Sequence, residues 1–456
     1  MEDLTQGSLS RHLLKTTGFM LVTMVFQTLY FLVDLYWVGR LGTSAVAAVG
    51  IAGNVSFLVL ALTQMIGVGA TTVISHAVGR RDQAQARHLF NQAIALSVCV
   101  AIAFLGVGLA LNAPFSNAIA ADAGTARLSA RYLGWFIPAM ALQFPMVAMG
   151  AALRATGNFT PSMLVSSVTV IINMALAPVL IFGWGTGRPF GVAGAAVASL
   201  IAIAFGNVWL ATWFYRPDAY LRFARAHARP ELAPWKRMLA VGLPTAFEFL
   251  MMAVYLAVVY MLIRPFGAAA QAGFGIGLRV MQAGFMPVVA LGMAVAPVAG
   301  QNFGAGLRDR VVATFRNGAI MAAAAMLLFA VVCQAAGHTM ISFFASDPAV
   351  IRVGDEYLHI ISWNFIASGI IFVASSMFQA MGNTMPSLFA SAARIIVIIL
   401  PALLLARLPG FRPTTIWYLS VAGTVVQLGL AMWLLRREFA RRLGPPAQAV
   451  MAPQAS

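Results

Sequence analysis

Four charged side chains lie inside long apolar stretches of this sequence. They are Asp34 in LYFLVDLYWVG, Glu248 in GLPTAFEFLMM, Arg279 after GFGIGL, and Arg394 in FASAARIIVI. A charge at the centre of a membrane-spanning helix costs roughly 2.5–3.5 kcal/mol, so residues kept there commonly serve ion transfer, proton transfer or ligand binding. A carboxylate in such a place can exchange a proton or a cation, and this is the chemistry that the two acidic residues predict.

Asp34 has polar neighbours on its own helical face. Tyr30 lies one turn earlier and Gln27 about two turns away. Asn173 lies near the middle of a later apolar run. Because a poorly solvated carboxylate takes up a proton more readily than one in water, we predict a proton or cation site at Asp34, with Tyr30 and Asn173 as hydrogen-bond partners. The alternative is a structural aspartate that fixes its helix to neighbouring helices.

Glu248 has two interpretations. It follows Pro244, which bends or opens a helix, by four residues and could face a substrate cavity. Alternatively it forms an ion pair with Arg279 or Arg394, and these residues are then structural. The methionine-rich segment after it suits repacking around varied apolar ligands. The candidate substrate-cavity residues are Gln27, Glu248, Met251, Met252 and Tyr255.

The composition of the chain places these residues in a membrane protein. Of its 456 residues, 61% are hydrophobic and 9% are charged, whereas a soluble domain carries roughly 25% charged residues. Apolar runs of about 20 residues recur, each long enough to cross the hydrocarbon core. The runs are continuous rather than alternating, so they predict helices and not a β-barrel. We expect an all-α polytopic membrane protein.

Other classes of protein do not fit the sequence. The net charge of +16 comes from basic residues scattered between apolar runs, unlike a nucleic-acid-binding surface. There is no metal-binding or nucleophile motif, and GFGIGL follows no strand. We expect no enzyme activity, no nucleic acid partner, no metal site and no cofactor besides a coupling ion, H⁺ or else Na⁺.

The apolar runs predict twelve membrane-spanning helices. Lys and Arg are concentrated in the N-terminal segment, in the loops after even-numbered helices and in the C-terminal tail, which places both termini in the cytoplasm. The predicted spans are 13–38, 46–74, 90–112, 132–153, 161–183, 192–214, 241–264, 270–300, 316–336, 357–380, 386–408 and 415–435.

The two halves of the chain repeat each other. GTSAVAAVGIAG at 42–53 matches GAAAQAGFGIGL at 267–278, and RATGNFTPSMLVSS at 154–167 matches QAMGNTMPSLFASA at 379–392, both at an offset of 225. Because each half holds six helices, corresponding helices point the same way, which predicts two bundles related by a pseudo-two-fold axis along the membrane normal. The predicted parts are an N-terminal lobe (1–215), a basic linker (216–240), a C-terminal lobe (241–440) and a tail (441–456).

Several segments together resemble the multidrug and toxic compound extrusion (MATE) family of secondary transporters. They are LYFLVDLYWVGRLGTSAVAAVG, LRATGNFTPSM, NMALAPVLIFGWG and GLPTAFE. The resemblance implies a two-lobed exporter that exchanges H⁺ or Na⁺ for organic, often cationic, drugs by alternating access. It also implies that Asp34, Tyr30 and Asn173 form the proton-linked site of the DinF-type branch.

The sequence departs from the family pattern in both lobes. In the first, Ala177 stands where the DinF-type branch often has a second carboxylate, and Phe19 lies at or near the place of a helix 1 proline. In the second, Met251 or Met252 replaces the NorM-type helix 7 acid, and Gly369 replaces the helix 10 aspartate. The absent helix 10 aspartate weakens a Na⁺ site in the second lobe, and the absent proline weakens a coupling mechanism that bends helix 1 there.

The sequence therefore predicts a proton-coupled multidrug efflux antiporter. We expect a monomer in the bacterial inner membrane that moves small drug-like compounds. Two alternatives remain: a Na⁺-coupled drug antiporter, or a lipid-linked precursor flippase of the same superfamily. The flippase would need several cavity Lys or Arg residues, whereas the spans hold Arg279 and Arg394.

Overall fold

The described part of the chain consists of twelve long apolar helices and the loops that join them. The computed structural model describes residues 3–184, 187, 189–224 and 229–444, without the side chain of Phe31. Within these ranges twelve helices are long and apolar enough to cross a membrane, which confirms the predicted all-α fold. They are α1 (Leu9–Gly39), α2 (Thr43–Gly79), α3 (Gln83–Ile119), α4 (Ala123–Ala155), α5 (Thr160–Phe182), α6 (Val192–Thr212), α7 (Leu232–Phe266), α8 (Ala268–Gly304), α9 (Arg308–Ser342), α10 (Pro348–Ala380), α11 (Met385–Leu405) and α12 (Pro413–Arg442).

The helices form two compact units whose limits fall inside α1 and α7. The first unit comprises Gly18–Phe247 together with Asp3, and the second comprises Leu4–Thr17 and the chain from Glu248 onward. The predicted linker 216–240 and tail 441–456 lie partly outside the described residues. The four-part domain division stays a prediction.

The internal repeat is visible in the helix bounds. Both ends of α8 match those of α2 at the sequence offset of 225, and both ends of α10 match those of α4 at the same offset. In the first unit α4 packs against α2, α3 and α6, and in the second unit α10 packs against α8, α9 and α12. Backbone positions with positive φ also correspond at this offset: Gly42 and Gly267, Arg81 and Gly306, Gly157 and Gly382.

Two glycines allow α2 and α7 to touch inside the first unit. A Cβ on Gly69 would lie 2.5 Å from the carbonyl oxygen of Met238, and a Cβ on Gly242 would overlap the carbonyl oxygen of Met65. Membrane helices pack through such small residues because lipid supplies little hydrophobic drive for helix association. The first part of α7 is thereby fixed to the first unit.

Side-chain amides hold the polar segments that precede α1 and α7. In the first unit, Gln92 of α3 donates to the Arg229 carbonyl at 2.7 Å and accepts from the Glu231 amide at 3.0 Å. In the second unit, Asn302 of α8 donates to the carbonyl of Leu4 at 3.1 Å, and Gln301 accepts from the Leu4 amide at 3.1 Å. These bonds satisfy backbone groups outside the helices.

Asp122 caps α4 at the end of a short loop. Its Oδ1 accepts hydrogen bonds from the amides of Gly124 (2.8 Å) and Thr125 (2.9 Å), and its Oδ2 accepts from the Thr125 hydroxyl at 2.6 Å. These bonds, above all the one from the Thr125 hydroxyl, lower the pKa of Asp122.

We expect Asp122 to make the stability of the first unit depend on pH. Since its folded pKa lies below the unfolded value, the cap stabilises the fold above the unfolded pKa and loses this effect as the pH falls through the folded pKa. In thermal unfolding of detergent-purified protein, Asp122→Ala should lower the melting temperature at pH 7 more than at pH 3. An equal loss at both pH values would contradict the prediction.

Candidate functional site

Asp34 is a carboxylate inside an apolar helix of the first unit. It is half-buried, and its Oδ1 atom is buried without a hydrogen-bond partner. Among the described residues no cation lies within ion-pair distance of it. A buried and unsatisfied polar atom costs about 1–3 kcal/mol, and more when it is charged. This position therefore favours an added proton or a bound cation.

Ser199 of α6 joins α5 to α1, where it meets Tyr30 one turn before Asp34. The Tyr30 hydroxyl lies 3.0 Å from Ser199 Oγ, and Asn173 Nδ2 donates to the same oxygen at 3.0 Å. Ser199 itself donates to the Ala195 carbonyl at 3.1 Å. Because Ser199 has one hydroxyl proton and gives it to Ala195, the Tyr30 hydroxyl is the donor in its bond to Ser199. One hydroxyl thus fixes three helices.

This arrangement corrects the predicted contacts of Asp34. Tyr30 and Asn173 hydrogen-bond to Ser199 and not to the carboxylate, so they are not its direct partners. Asp34 does lie close enough to Tyr30 and to Tyr132 of α4 for electrostatic interaction. Gln27 is exposed and has no part in this network.

The sequence reasoning missed both Ser199 and Tyr132 as site residues. Ser199 stands in the alanine-rich run AGAAVASLIAIA, where a serine is typical of close helix packing. The usable signal was the repeat, because Thr424, another hydroxyl residue, stands at the equivalent position of the second half. Tyr132 carried the same signal, since Tyr357 is its equivalent.

We expect Ser199→Ala to loosen α1 without removing the titratable group. Each lost hydrogen bond is worth about 1 kcal/mol, so transport should fall severalfold while its pH dependence persists. Ser199→Thr should retain activity because Thr424 fills the equivalent position in the second unit. Initial rates of dye transport in liposomes at several pH values test this. A flat pH profile for Ser199→Ala would contradict it.

Glu248 of α7 lies in a second polar cluster, in the second unit. Its Oε1 accepts hydrogen bonds from the hydroxyls of Ser387 at 2.8 Å and Ser391 at 2.9 Å. Gln427 Nε2 donates to Ser391 Oγ at 3.2 Å, while Gln427 Oε1 is buried without a partner. The i, i+4 spacing of the two serines on α11 could have revealed their common face.

The structure does not support the alternative that Glu248 forms an ion pair. In the described chain neither Arg279 nor Arg394 lies within ion-pair distance of its carboxylate. Arg279 is exposed, and the Arg394 guanidinium lies 5.8 Å from the centre of the Tyr255 ring. The roles of all three charged residues remain predictions.

The remaining candidates lie along α7. Pro244 is buried within a continuous helix, so it does not interrupt α7. Met251 is half-buried, Met252 is 37% exposed, and Tyr255 is buried. Among the described residues no group of three or more His, Cys, Asp or Glu side chains could hold a metal ion.

Comparison with known proteins identifies the family. The MatE family profile matches residues 20–179 and 244–404, one segment in each half of the chain. The chain is 26% identical over 91% of its length to the multidrug export protein MepA of Staphylococcus haemolyticus, of which it covers 91%. It is 27% identical over 79% of its length to a probable multidrug resistance protein NorM of Thermotoga maritima, of which it covers 78%.

Solved structures show the same fold. An outward-facing multidrug resistance MATE family transporter of the MOP superfamily aligns with a TM-score of 0.89 at 22% identity, over 97% of this chain and 98% of that one. Because the family profile covers more than half of the chain and both repeats, this protein, a transporter and not an enzyme, belongs to the MatE family.

Proposed function

We propose that this transporter exports organic, often cationic, compounds in exchange for protons, with Asp34 as the coupling carboxylate. The observation that carries the proposal is the buried Asp34 Oδ1 atom without a hydrogen-bond partner. The relatives named as multidrug export and multidrug resistance proteins support the substrate class.

The proposed cycle follows from the charge of Asp34. When ionised, its carboxylate attracts a cationic compound. When a proton neutralises it, this attraction is lost and the compound is released. Protonation also removes the cost of a buried charge, so the two states of Asp34 favour different packings of α1. The hydrogen bonds that Ser199 makes with Tyr30 and Asn173 would determine how firmly α1 is held against α5 and α6.

A second candidate is coupling to Na⁺ at Glu248. Oxygen atoms of Glu248, Ser387 and Ser391 belong to one hydrogen-bond network there, which Gln427 joins through its Nε2 atom, and hard cations prefer oxygen ligands. The buried and unpartnered Gln427 Oε1 favours this candidate. Glu248→Gln should then abolish Na⁺-driven transport.

Purified protein in liposomes distinguishes the two candidates. A pH gradient and a Na⁺ gradient are imposed separately, and movement of ethidium is followed. Movement with the pH gradient alone that is lost in Asp34→Asn supports coupling at Asp34. Movement that requires the Na⁺ gradient would overturn it and favour Glu248.

We also propose a place for the protein in the cell. The excess of Lys and Arg in loops after even-numbered helices supports a cytoplasmic location of both termini. The bacterial relatives support the bacterial inner membrane. We propose a monomer, closer to the DinF-type branch. An alkaline phosphatase fused to the C-terminus should be inactive. A fluorescent protein that is fluorescent only in the cytoplasm should be bright when fused at the same place.

A further inference from the structure

A groove lies between α9 and α12 in the second unit. Its volume is about 390 Å³, and apolar side chains form most of its walls. Phe315 of α9 and Phe439 of α12 line it and contact each other edge to face, with ring centres 6.3 Å apart. The groove is open, since Val312 and Ile320 on its α9 wall are 38% and 61% exposed. It can therefore take up an apolar chain from outside the protein.

Two arginines belong to this otherwise apolar groove. Arg316 of α9 and Arg436 of α12 both line it, and both are exposed. Within the described part of the chain neither side chain forms an ion pair or a hydrogen bond. The acid nearest to Arg436 in the sequence is Glu438, which pairs with Arg441 and Arg442 instead. Two unpaired cations beside apolar walls favour a ligand that is anionic at one end and apolar at the other.

The first unit has the same aromatic pair, but its own chain covers that pair. At the repeat offset of 225, Phe90 and Phe214 correspond to Phe315 and Phe439. They are stacked with ring centres 4.4 Å apart, and Phe223 from the loop after α6 packs on them at 5.2 Å and 5.5 Å. Phe90 and Phe214 are buried, with 0% and 2% of their surfaces exposed. Phe223 thus occupies a place that is open in the second unit.

The residue that corresponds to Arg316 holds this covering loop in place. It is Asn91, whose Nδ2 donates to the Arg222 carbonyl at 3.0 Å and whose Oδ1 accepts from the Ala224 amide at 3.0 Å. Because an arginine side chain has donors and no acceptor, Arg316 cannot replace both bonds. The second unit therefore has a positive charge in place of the amide that holds the loop.

Both arginines lie at the depth of lipid phosphates. With 35 and 30 residues, α9 and α12 are roughly 52 and 45 Å long. The hydrocarbon core is about 30 Å thick, so a helix centred on it extends roughly 7–11 Å beyond each face. Arg316 lies eight residues after the start of α9, and Arg436 lies six residues before the end of α12. Their Cα atoms are therefore roughly 12 and 9 Å from those ends, near the boundary between hydrocarbon and head groups.

We propose that the groove between α9 and α12 binds an anionic phospholipid, with an acyl chain against its apolar walls and the phosphate paired to Arg316 and Arg436. The bound lipid takes the place in the second unit that Phe223 takes in the first. Under the proposed topology it belongs to the cytoplasmic leaflet. The inference goes beyond the proposed function, because lipid binding in this groove needs neither a transported compound nor an ion gradient.

Native mass spectrometry of the full chain in detergent measures this binding. The protein is titrated with phosphatidylglycerol or with phosphatidylcholine that has the same acyl chains, and the Kd of the first bound lipid is compared. The native chain should prefer phosphatidylglycerol. Arg316→Gln and Arg436→Gln should each weaken phosphatidylglycerol binding by roughly fivefold, because one charge that attracts the anionic head group is lost. Both changes are at exposed positions, so the fold should persist, and thermal unfolding checks this.

Arg437→Gln is the matched control. Arg437 follows Arg436 on α12, is exposed and lies 5.7 Å from the centre of the Trp433 ring, outside the set of residues that line the groove. The variant removes the same charge from the same end of the same helix, so it should bind phosphatidylglycerol like the native chain. Equal weakening by all three arginine variants would indicate a diffuse attraction to a basic surface and would overturn the proposal.

Photo-crosslinking identifies the occupant of the groove in cell membranes. A p-benzoylphenylalanine at position 320 is irradiated, and its products are analysed by mass spectrometry. A phospholipid adduct supports the proposal. A cross-link to the tail segment 445–449, which corresponds to the covering loop 220–224, would overturn it, and so would a cross-link to a second copy of the chain. Displacement of phosphatidylglycerol by inorganic phosphate in the titrations would overturn it as well, because a dissolved anion would then satisfy the arginines.

Discussion

Asp34→Asn is expected to abolish the proton dependence of transport. Asparagine has nearly the same shape as aspartate but cannot ionise, so it imitates the protonated state permanently. The attraction to a cation is lost, and export of ethidium driven by a pH gradient should fall by roughly tenfold or more. The residual rate should be flat with pH, because the group that titrates is gone. Initial rates in liposomes between pH 6 and pH 8 measure both effects.

Two controls separate this effect from a folding defect. Asp34→Glu keeps a carboxylate and should retain a pH-dependent rate, although the longer side chain will change its value. Thermal unfolding of Asp34→Asn should give a melting temperature at or above that of the native chain, because an unsatisfied buried charge is removed. Undiminished, pH-dependent export by Asp34→Asn would disprove coupling at this residue.

Gly242→Ala is expected to prevent correct assembly of the first unit. The new Cβ would overlap the carbonyl oxygen of Met65, so α7 and α2 would have to separate. Gly69→Ala meets the Met238 carbonyl oxygen at 2.5 Å on the other side of the same contact. Overpacking a well-packed site typically lowers the free energy of unfolding by about 1–3 kcal/mol. We expect a loss at or above about 3 kcal/mol here, because the new Cβ meets a backbone atom that cannot rotate away. Both variants should give little monodisperse protein in size-exclusion chromatography.

Gly53→Ala is the matched control for Gly69→Ala. It lies on the same helix, and a Cβ at Gly53 would meet no atom within 4 Å. Since alanine favours a helix over glycine by about 1 kcal/mol, Gly53→Ala should be neutral or slightly stabilising. If Gly69→Ala and Gly242→Ala behaved like Gly53→Ala, the close α2–α7 contact would be wrong.

The sequence determined the properties that depend on local composition. The length of each apolar run predicts a span, and each of the twelve predicted spans corresponds to one of the twelve helices. The constant offset of 225 predicts the repeat, which the matching bounds of α2 with α8 and α4 with α10 confirm. Asp34 also stands out without a structure, because a carboxylate in an apolar run is rare and costly.

Only the tertiary structure decided which polar groups meet. Helical periodicity places Tyr30 on the face of Asp34, but the approach of α6 gives its hydroxyl to Ser199. Charge alone suggests a salt bridge for Glu248, yet α11 brings it two serine hydroxyls instead. Periodicity and hydropathy act along one helix, whereas these contacts depend on the crossing and rotation of separate helices. Small residues such as Gly69 set those crossings, and their effect cannot be read from one helix at a time.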